Sequence, residues 1–201
     1  MGLIRNARLD DIATLRDIER AAGRLFAEIG MSEVANDEPL SDETLRRYQT
    51  CGRAWVAVDD SDRPIGYLVA DILDGNAHIE QLSVLPANMR KGLGWALIEQ
   101  LAAWASERGM HAVTLTTFAD VPWNEPYYRR LGFERLTEEE IRPGLRDRRN
   151  HETGRGLDRW PRICMRRGLP GAGPPDEQHV PEPAVQGEAG ASTGASAPKG
   201  A

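Results

Sequence analysis

Residues 77–109, AHIEQLSVLPANMRKGLGWALIEQLAAWASERG, decide the fold of this 201-residue chain. Residues 77–84 are a predicted buried strand with apolar residues on both faces, and a short loop follows it. Gly92 and Gly94 then open a helix that we expect to continue to residue 108. The first N–H groups of a helix have no internal partner and lie at the positive end of the helix dipole, so this segment is a predicted phosphate-binding element.

Three motifs are compatible with a glycine-containing turn of this kind. A P-loop requires GxxxxGK[ST], but Gly94 is followed by Trp95-Ala96. A dinucleotide fingerprint requires GxGxxG after the first strand of a βαβ unit, but Leu97 takes the third glycine position. The third motif is V-x-P followed by [QR]-x-x-G-x-[GA]. The chain matches it with Val84-Leu85-Pro86 and Met89-Arg90-Lys91-Gly92-Leu93-Gly94, where Met89 replaces Gln or Arg.

A second motif, Y-x-x-[LM]-G-F, is matched by Tyr128, Leu131, Gly132 and Phe133. The two motifs, about 40 residues apart and in this order, resemble the two signatures of the GNAT N-acetyltransferases. The resemblance covers roughly residues 3–167. The family usually has an Asn seven residues before the Tyr; Val121 stands there, and Asn124 lies only four residues before.

The order of predicted elements indicates an α+β chain. It is β-α-α-β-β-β-α-β-α-β, with an extra helix at residues 137–149 and a last strand at 162–167. We expect Asp10 to cap the first helix and Ser41 the second. The resemblance implies the α/β/α sandwich of the GNAT acyl-CoA N-acyltransferase fold, in which helices flank a mixed, mostly antiparallel central sheet. Residues 1–169 are therefore assigned to one such domain, and the Pro/Gly/Ala-rich residues 170–201 to a disordered tail.

The resemblance also implies a reaction, in which acetyl moves from the cosubstrate acetyl-CoA to an amine of a small molecule by direct attack in a ternary complex, without a metal. Glu80 matches the general base and Tyr128 the general acid. An amine with a pKa near that of Lys, about 10.4, must lose a proton before it attacks, and a carboxylate can accept it. The implied cofactor-binding residues are Leu82, Ser83, Val84, Arg90, Lys91, Gly92, Leu93, Gly94, Trp95 and Asn124.

Several of these residues also have structural interpretations. Glu80 is compatible with a carboxylate that pairs with an arginine, and Tyr128 with a packing aromatic. Arg90 and Lys91 fit either a phosphate contact or a solvated loop, and His78 is interpreted as structural. Nine arginines against three acidic residues in 142–167 fit either a rim that selects an acidic acceptor or a solvated face with local ion pairs.

The bulk composition narrows the classes of partner. A net charge of −6 argues against general nucleic-acid binding, and we expect no membrane span or signal peptide. Cys51 and Cys164 make no disulfide framework or metal spacing, which favours a reduced cytoplasmic location and packing roles. A homodimer is compatible with the resemblance. A non-catalytic acyl-CoA-binding regulatory module and a protein or peptide N-acetyltransferase stay open as alternatives, because no motif identifies the acceptor.

Overall fold

The computed structural model of the chain describes residues 3–154 and 159–170. These residues contain a seven-stranded sheet of order β1-β2-β3-β4-β5-β7-β6. The β4–β5 pair is parallel and the other pairs are antiparallel, which confirms the predicted mixed sheet. The strands are β1 Leu3–Asn6, β2 Ala54–Val58, β3 Pro64–Leu73, β4 Asn76–Val84, β5 Ala112–Phe118, β6 Glu134–Arg135 and β7 Arg162–Gly168.

Helices cover both faces of the sheet, so the predicted α/β/α sandwich is confirmed. Helix α4 packs on one face through Leu97, Ile98 and Leu101. Helices α1 and α3 pack on the other face beside β2 and β3, and α6 extends that layer towards β7. The helices are α1 Ile12–Gly23, α2 Ser32–Ala35, α3 Asp42–Thr50, α4 Leu93–Ser106, α5 Glu125–Arg130 and α6 Pro143–Gly154.

Strand β4 is buried, but its two faces differ in polarity. Val69 pairs with Gln81 and Ala70 with Ile79, so Glu80 is the extra residue of a β-bulge. The bulge shifts the alternation of side chains, and the residues that pack against α4 are Ala77, Ile79, Leu82 and Val84. The prediction of apolar residues on both faces is therefore wrong, because the opposite face carries the buried polar residues His78, Glu80, Gln81 and Ser83.

Helix α6 begins six residues later than predicted and is fixed by a distant carboxylate. Pro143 is its first residue, a position that tolerates proline because the N–H there has no helical partner. The Asp74 carboxylate, in the β3–β4 turn, accepts hydrogen bonds from the N–H groups of Gly144 at 2.8 Å and Leu145 at 2.9 Å. The turn of one hairpin thus supplies the N-terminal cap of a helix 70 residues further along the chain.

The remaining local predictions have mixed outcomes. Ser41 caps α3 by accepting the Thr44 N–H at 3.1 Å, as predicted. Asp10 does not cap α1; Asp11 instead accepts the Arg8 N–H at 2.7 Å. Cys164 is buried, whereas Cys51 is exposed and does not pack as an apolar side chain.

Two further predictions concern the C-terminal tail and the absence of a membrane span. The predicted tail lies, apart from Pro170, outside the described residues. Within the described ranges, no helix combines the length and apolarity needed to cross a membrane.

Replacing Asp74 with Asn should lower the free energy of unfolding by about 1 kcal/mol, because one of the two capping acceptors is lost. Asn keeps the backbone preference for the positive φ of 51° at this position. Urea unfolding measures the change. Asp60→Asn in the β2–β3 turn removes the same charge without a cap and should be neutral; equal effects of both variants would contradict the capping role.

Candidate active site

The parallel strands β4 and β5 are joined over a short distance and then separate. Their pairing runs only from Ala77 with Val113 to Ile79 with Leu115. Beyond Ile79, β4 continues to pair with β3 but not with β5. Main-chain groups on the β5 side of this stretch therefore have no strand partner, and the predicted cofactor-binding residues Leu82, Ser83 and Val84 lie on it.

The turn before α4 is open at its surface. Gly92 is the N-cap of α4 with φ of 78°, and a Cβ added there would meet no atom within 4 Å. Arg90 and Lys91 are exposed and form no ion pair within the described residues. Met89, at the position where the motif usually has Gln or Arg, packs against the core instead.

The first residues of α4 differ in exposure, since Leu93 and Gly94 are buried and Trp95 is exposed. The helix N-terminus beside Gly92 is thus accessible to an anion. The loop of residues 85–92 connects the unpaired part of β4 to this end of the helix.

Buried polar atoms without partners lie on α5 and at its N-terminus. The Tyr128 hydroxyl and both amide atoms of Asn124 are buried and make no hydrogen bond within the described residues. Buried polar groups in proteins are nearly always hydrogen-bonded, so these atoms fit a site that binds a polar ligand. The Tyr128 ring packs edge-to-face on Phe133 at 5.7 Å. Burial raises the pKa of Tyr128, which keeps its phenol protonated and able to donate.

Glu80 lies in a buried charge cluster. Its side chain is 3% exposed, and its Oε2 is 2.7 Å from Nη1 of Arg148 on α6. Arg148 also donates to Asp71 at 2.8 Å, and Asp71 accepts further hydrogen bonds from Tyr48 and Arg53. Burial raises the pKa of Glu80 to about 8, although the Arg148 charge works in the opposite direction.

A cleft of about 420 Å³ leads to Glu80 between α3, the paired ends of β3 and β4, and α6. Arg47 and Tyr48 line its α3 side, and Asp147 and Arg148 its α6 side. Sequence reasoning missed these four residues, because α3 and α6 match no motif. The available signal was the arginine-rich segment 142–167, which contains Arg148.

Most arginines of that segment are committed to ion pairs, as one of the two sequence interpretations predicts. Arg162 is fully buried and donates to Glu152 at 2.8 Å. Pairing with a described carboxylate holds for Arg146, Arg148, Arg149, Arg159, Arg162, Arg166 and Arg167. The described part of the segment therefore does not form a rim of free cations.

His78 has the environment of a structural residue. It is buried, and its Nδ1 lies 3.0 Å from the Thr114 hydroxyl oxygen. Burial lowers its pKa to about 3, so the ring stays neutral at physiological pH. This supports the structural interpretation, although His78 and Glu80 belong to the same strand face.

A mixed sheet that splits between its parallel strands beside an open helix N-terminus is the architecture of acyl-CoA N-acyltransferases. The sequence model described as the acetyltransferase (GNAT) family matches residues 14–133, more than half of the chain. The chain belongs to this family.

Solved structures share the fold at low sequence identity. The paia N-acetyltransferase from Thermoplasma acidophilum, in complex with coenzyme A, has a TM-score of 0.63 and 18% identity, over 84% of this chain and 99% of that chain. The ribosomal-protein-S18-alanine N-acetyltransferase from Escherichia coli has a TM-score of 0.60 and 21% identity, over 86% and 97%. The chain therefore shares a fold with both of these proteins over nearly the full length of their chains.

The neutral state of His78 should make stability depend on pH. Its pKa is about 3 in the folded state and about 6.5 when unfolded, so unfolding takes up a proton between these values. The stabilisation is complete above pH 6.5 and is lost as the pH falls towards 3. Between pH 7 and pH 5 the parent should lose about 2 kcal/mol more unfolding free energy than His78→Gln. Urea unfolding at each pH measures this, and His111→Gln at the surface should behave as the parent; parallel curves for parent and His78→Gln would contradict the buried neutral state.

Proposed function

We propose that the protein transfers acetyl from acetyl-CoA to an amine of a small molecule, by direct attack in a ternary complex. The observation that carries this proposal is the separation of β4 from β5 after Ile79, directly beside the bulged Glu80. The separation leaves main-chain donors between the open Gly92 turn and a buried carboxylate. A cleft reaches that carboxylate from the α3–α6 side, so acyl donor and acceptor have separate approaches.

The residues around Gly92 fit the diphosphate of acetyl-CoA. The N–H groups of Gly92, Leu93, Gly94 and Trp95 stand at the helix N-terminus, where the helix dipole favours an anion. Arg90 and Lys91 add two uncommitted positive charges. The main chain of Leu82, Ser83 and Val84 would bind the pantetheine arm along β4, and the unpartnered amide of Asn124 would hydrogen-bond it. When bound, acetyl-CoA supplies an acyl group activated as a thioester.

Two side chains of this site supply the proton transfers that the reaction requires. Glu80 accepts the proton that the amine loses as its nitrogen bonds to the acetyl carbon. Tyr128 donates its hydroxyl proton to the sulfur as the carbon–sulfur bond breaks. The raised pKa of Glu80 brings its ionisation near the working pH, and the raised pKa of Tyr128 keeps its proton available. The main-chain donors of β4 stabilise the negative charge that develops on the carbonyl oxygen.

One observation favours a second candidate, a non-catalytic acyl-CoA-binding regulatory module. Glu80 is ion-paired with Arg148, and a purely structural carboxylate would look the same. Both candidates predict binding of CoA, but only the transferase releases free CoA thiol when amines are added.

Replacing Gly92 with Glu should abolish binding of coenzyme A, because a carboxylate would then occupy the anion-binding surface. The parent should gain about 2.7 kcal/mol in stability at a ligand concentration 100-fold above Kd, and the variant none. Thermal unfolding with and without coenzyme A measures the gain. Gly109→Glu is a matched control at the other end of α4, since its φ of 69° and open surroundings impose the same strain. Unchanged affinity of the Gly92→Glu variant would remove the diphosphate assignment.

Replacing Glu80 with Gln should lower kcat/KM by at least about 100-fold, the usual contribution of a positioned general base. In the parent, kcat/KM should rise about tenfold per pH unit and level off above pH 8, because only the ionised carboxylate accepts a proton. An acceptor whose amine is already neutral at pH 7 keeps substrate ionisation out of the profile. The Glu80→Gln variant should lose this rise in kcat/KM up to pH 8. Glu43→Gln, on the exposed side of α3, should retain it. An unchanged profile in Glu80→Gln would rule out this base.

A further inference from the structure

The cleft that leads to Glu80 carries two charges that no described residue neutralises. Arg47, on the α3 wall, forms no ion pair within residues 3–154 and 159–170, and neither does Asp147 on the α6 wall. The other charged residues, Asp71, Glu80 and Arg148, form the floor of the cleft and are paired. Arg148 bridges Asp71 and Glu80, and Asp71 also binds Arg53. The cleft thus presents one free cation and one free anion on opposite walls.

Arg47 is exposed on α3 and contacts a residue of the cleft lining. Its guanidinium lies 5.2 Å from the centroid of the Tyr48 ring, a cation–π geometry. Tyr48 is itself held by a 2.9 Å hydrogen bond from its hydroxyl to Asp71. Arg47 and Glu80 both line the cleft, and the charge of Arg47 works to lower the pKa of Glu80. A guanidinium at this position can bind a carboxylate through two parallel hydrogen bonds.

The net charge of the cleft favours a zwitterionic acceptor over a polyamine. Arg47, Arg53 and Arg148 balance Asp71, Glu80 and Asp147, so the cleft and its paired groups carry no net charge when all six are ionised. A polyamine would bring two or more positive charges to a neutral cleft. A molecule with one ammonium and one carboxylate instead matches both free wall charges.

We propose that the acceptor is a free amino acid or a similar small zwitterion, with its carboxylate on Arg47 and its amine at Glu80. Asp147 and Glu80 attract the ammonium group, which loses one proton to solvent. The neutral amine then gives a second proton to Glu80 as its nitrogen bonds to the acetyl carbon. Arg148 does not bind the carboxylate, because Asp71 and Glu80 already occupy its guanidinium. This inference rests on the proposed transferase activity and names the substrate class of the same site.

The test is a thiol-release assay with acetyl-CoA and matched pairs of acceptors, namely the twenty L-amino acids, the amines left by removing their carboxyl groups, and spermidine. At least one amino acid should be acetylated with a kcat/KM that exceeds that of its decarboxylated amine by about 10- to 100-fold, the range for a hydrogen bond to a charged group. Arg47→Gln should raise KM for that amino acid by the same factor and leave the KM for acetyl-CoA unchanged.

Three comparisons separate recognition of the carboxylate from a general effect on the fold. Arg47→Gln should lower kcat/KM for the decarboxylated amine by a smaller factor than for the amino acid, because only the effect of Arg47 on the pKa of Glu80 is lost there. Arg47→Lys should restore part of the affinity for the amino acid. Arg46→Gln changes the neighbouring exposed arginine, outside the cleft lining, and should behave as the parent. The same loss in Arg46→Gln as in Arg47→Gln would contradict the assignment.

The outcomes distinguish this inference from the activity on which it rests. The assignment of a zwitterionic acceptor would be wrong if spermidine, decarboxylated amines or peptides were turned over faster than amino acids. It would also be wrong if the Arg47→Gln variant kept the KM of the parent for the amino acid. Either result would leave the proposed transferase activity in place. No thiol release with any acceptor, while coenzyme A still stabilises the protein, would overturn the transferase itself.

Discussion

Main-chain hydrogen bonding along β4 is the constraint on which the rest of the structure depends. The strand pairs with β3 to its end, but with β5 only as far as Ile79. At the same point Glu80 is inserted as a bulge, and the alternation of side chains shifts by one residue. The shift keeps Leu82 and Val84 on the face that packs against α4. One local irregularity therefore preserves the core, releases main-chain donors and presents a carboxylate to the opposite face.

A carboxylate on that face requires compensation, because desolvation of an isolated charge is costly. Arg148 supplies it, and α6 brings Arg148 into place. The helix is fixed at its start by Asp74 and in its body by Leu145, which packs beside Cys164. The β3–β4 hairpin thus contributes twice, since its strand carries Asp71 under Arg148 and its turn caps the helix. Helix α6 is part of the electrostatic support of Glu80 as well as a cover for the sheet.

The fold was predictable because it follows from motifs and periodicity that are local in sequence. The turn at Gly92, the helix after it and the order of helices and strands along the chain all come from such patterns. Glu80 and Tyr128 were predicted from the family resemblance. The polarity of one β4 face was wrong although the sequence itself contains His78, Glu80, Gln81 and Ser83; what leaves no mark in the sequence is the bulge at Glu80. The start of α6 was wrong for a related reason. Its cap is Asp74, and no local rule connects a hairpin turn to a helix 70 residues away. Arg47 and Arg148 were missed because their roles depend on which arginines are already paired.

Burial acts on the two proposed proton-transfer groups in the same direction, with opposite chemical consequences. It raises the pKa of Glu80 to about 8, so the carboxylate can hold a proton near physiological pH, and it raises the pKa of Tyr128, so the phenol does not lose one. The positive charges of Arg148 and Arg47 oppose this rise in the pKa of Glu80, so the carboxyl group can still ionise. In the proposed complex, a substrate carboxylate bound to Arg47 would offset part of the effect of the Arg47 charge on the pKa of Glu80. The ammonium group of the same molecule would replace it beside Glu80, so a zwitterion leaves the charge balance around the base unchanged until the proton is transferred.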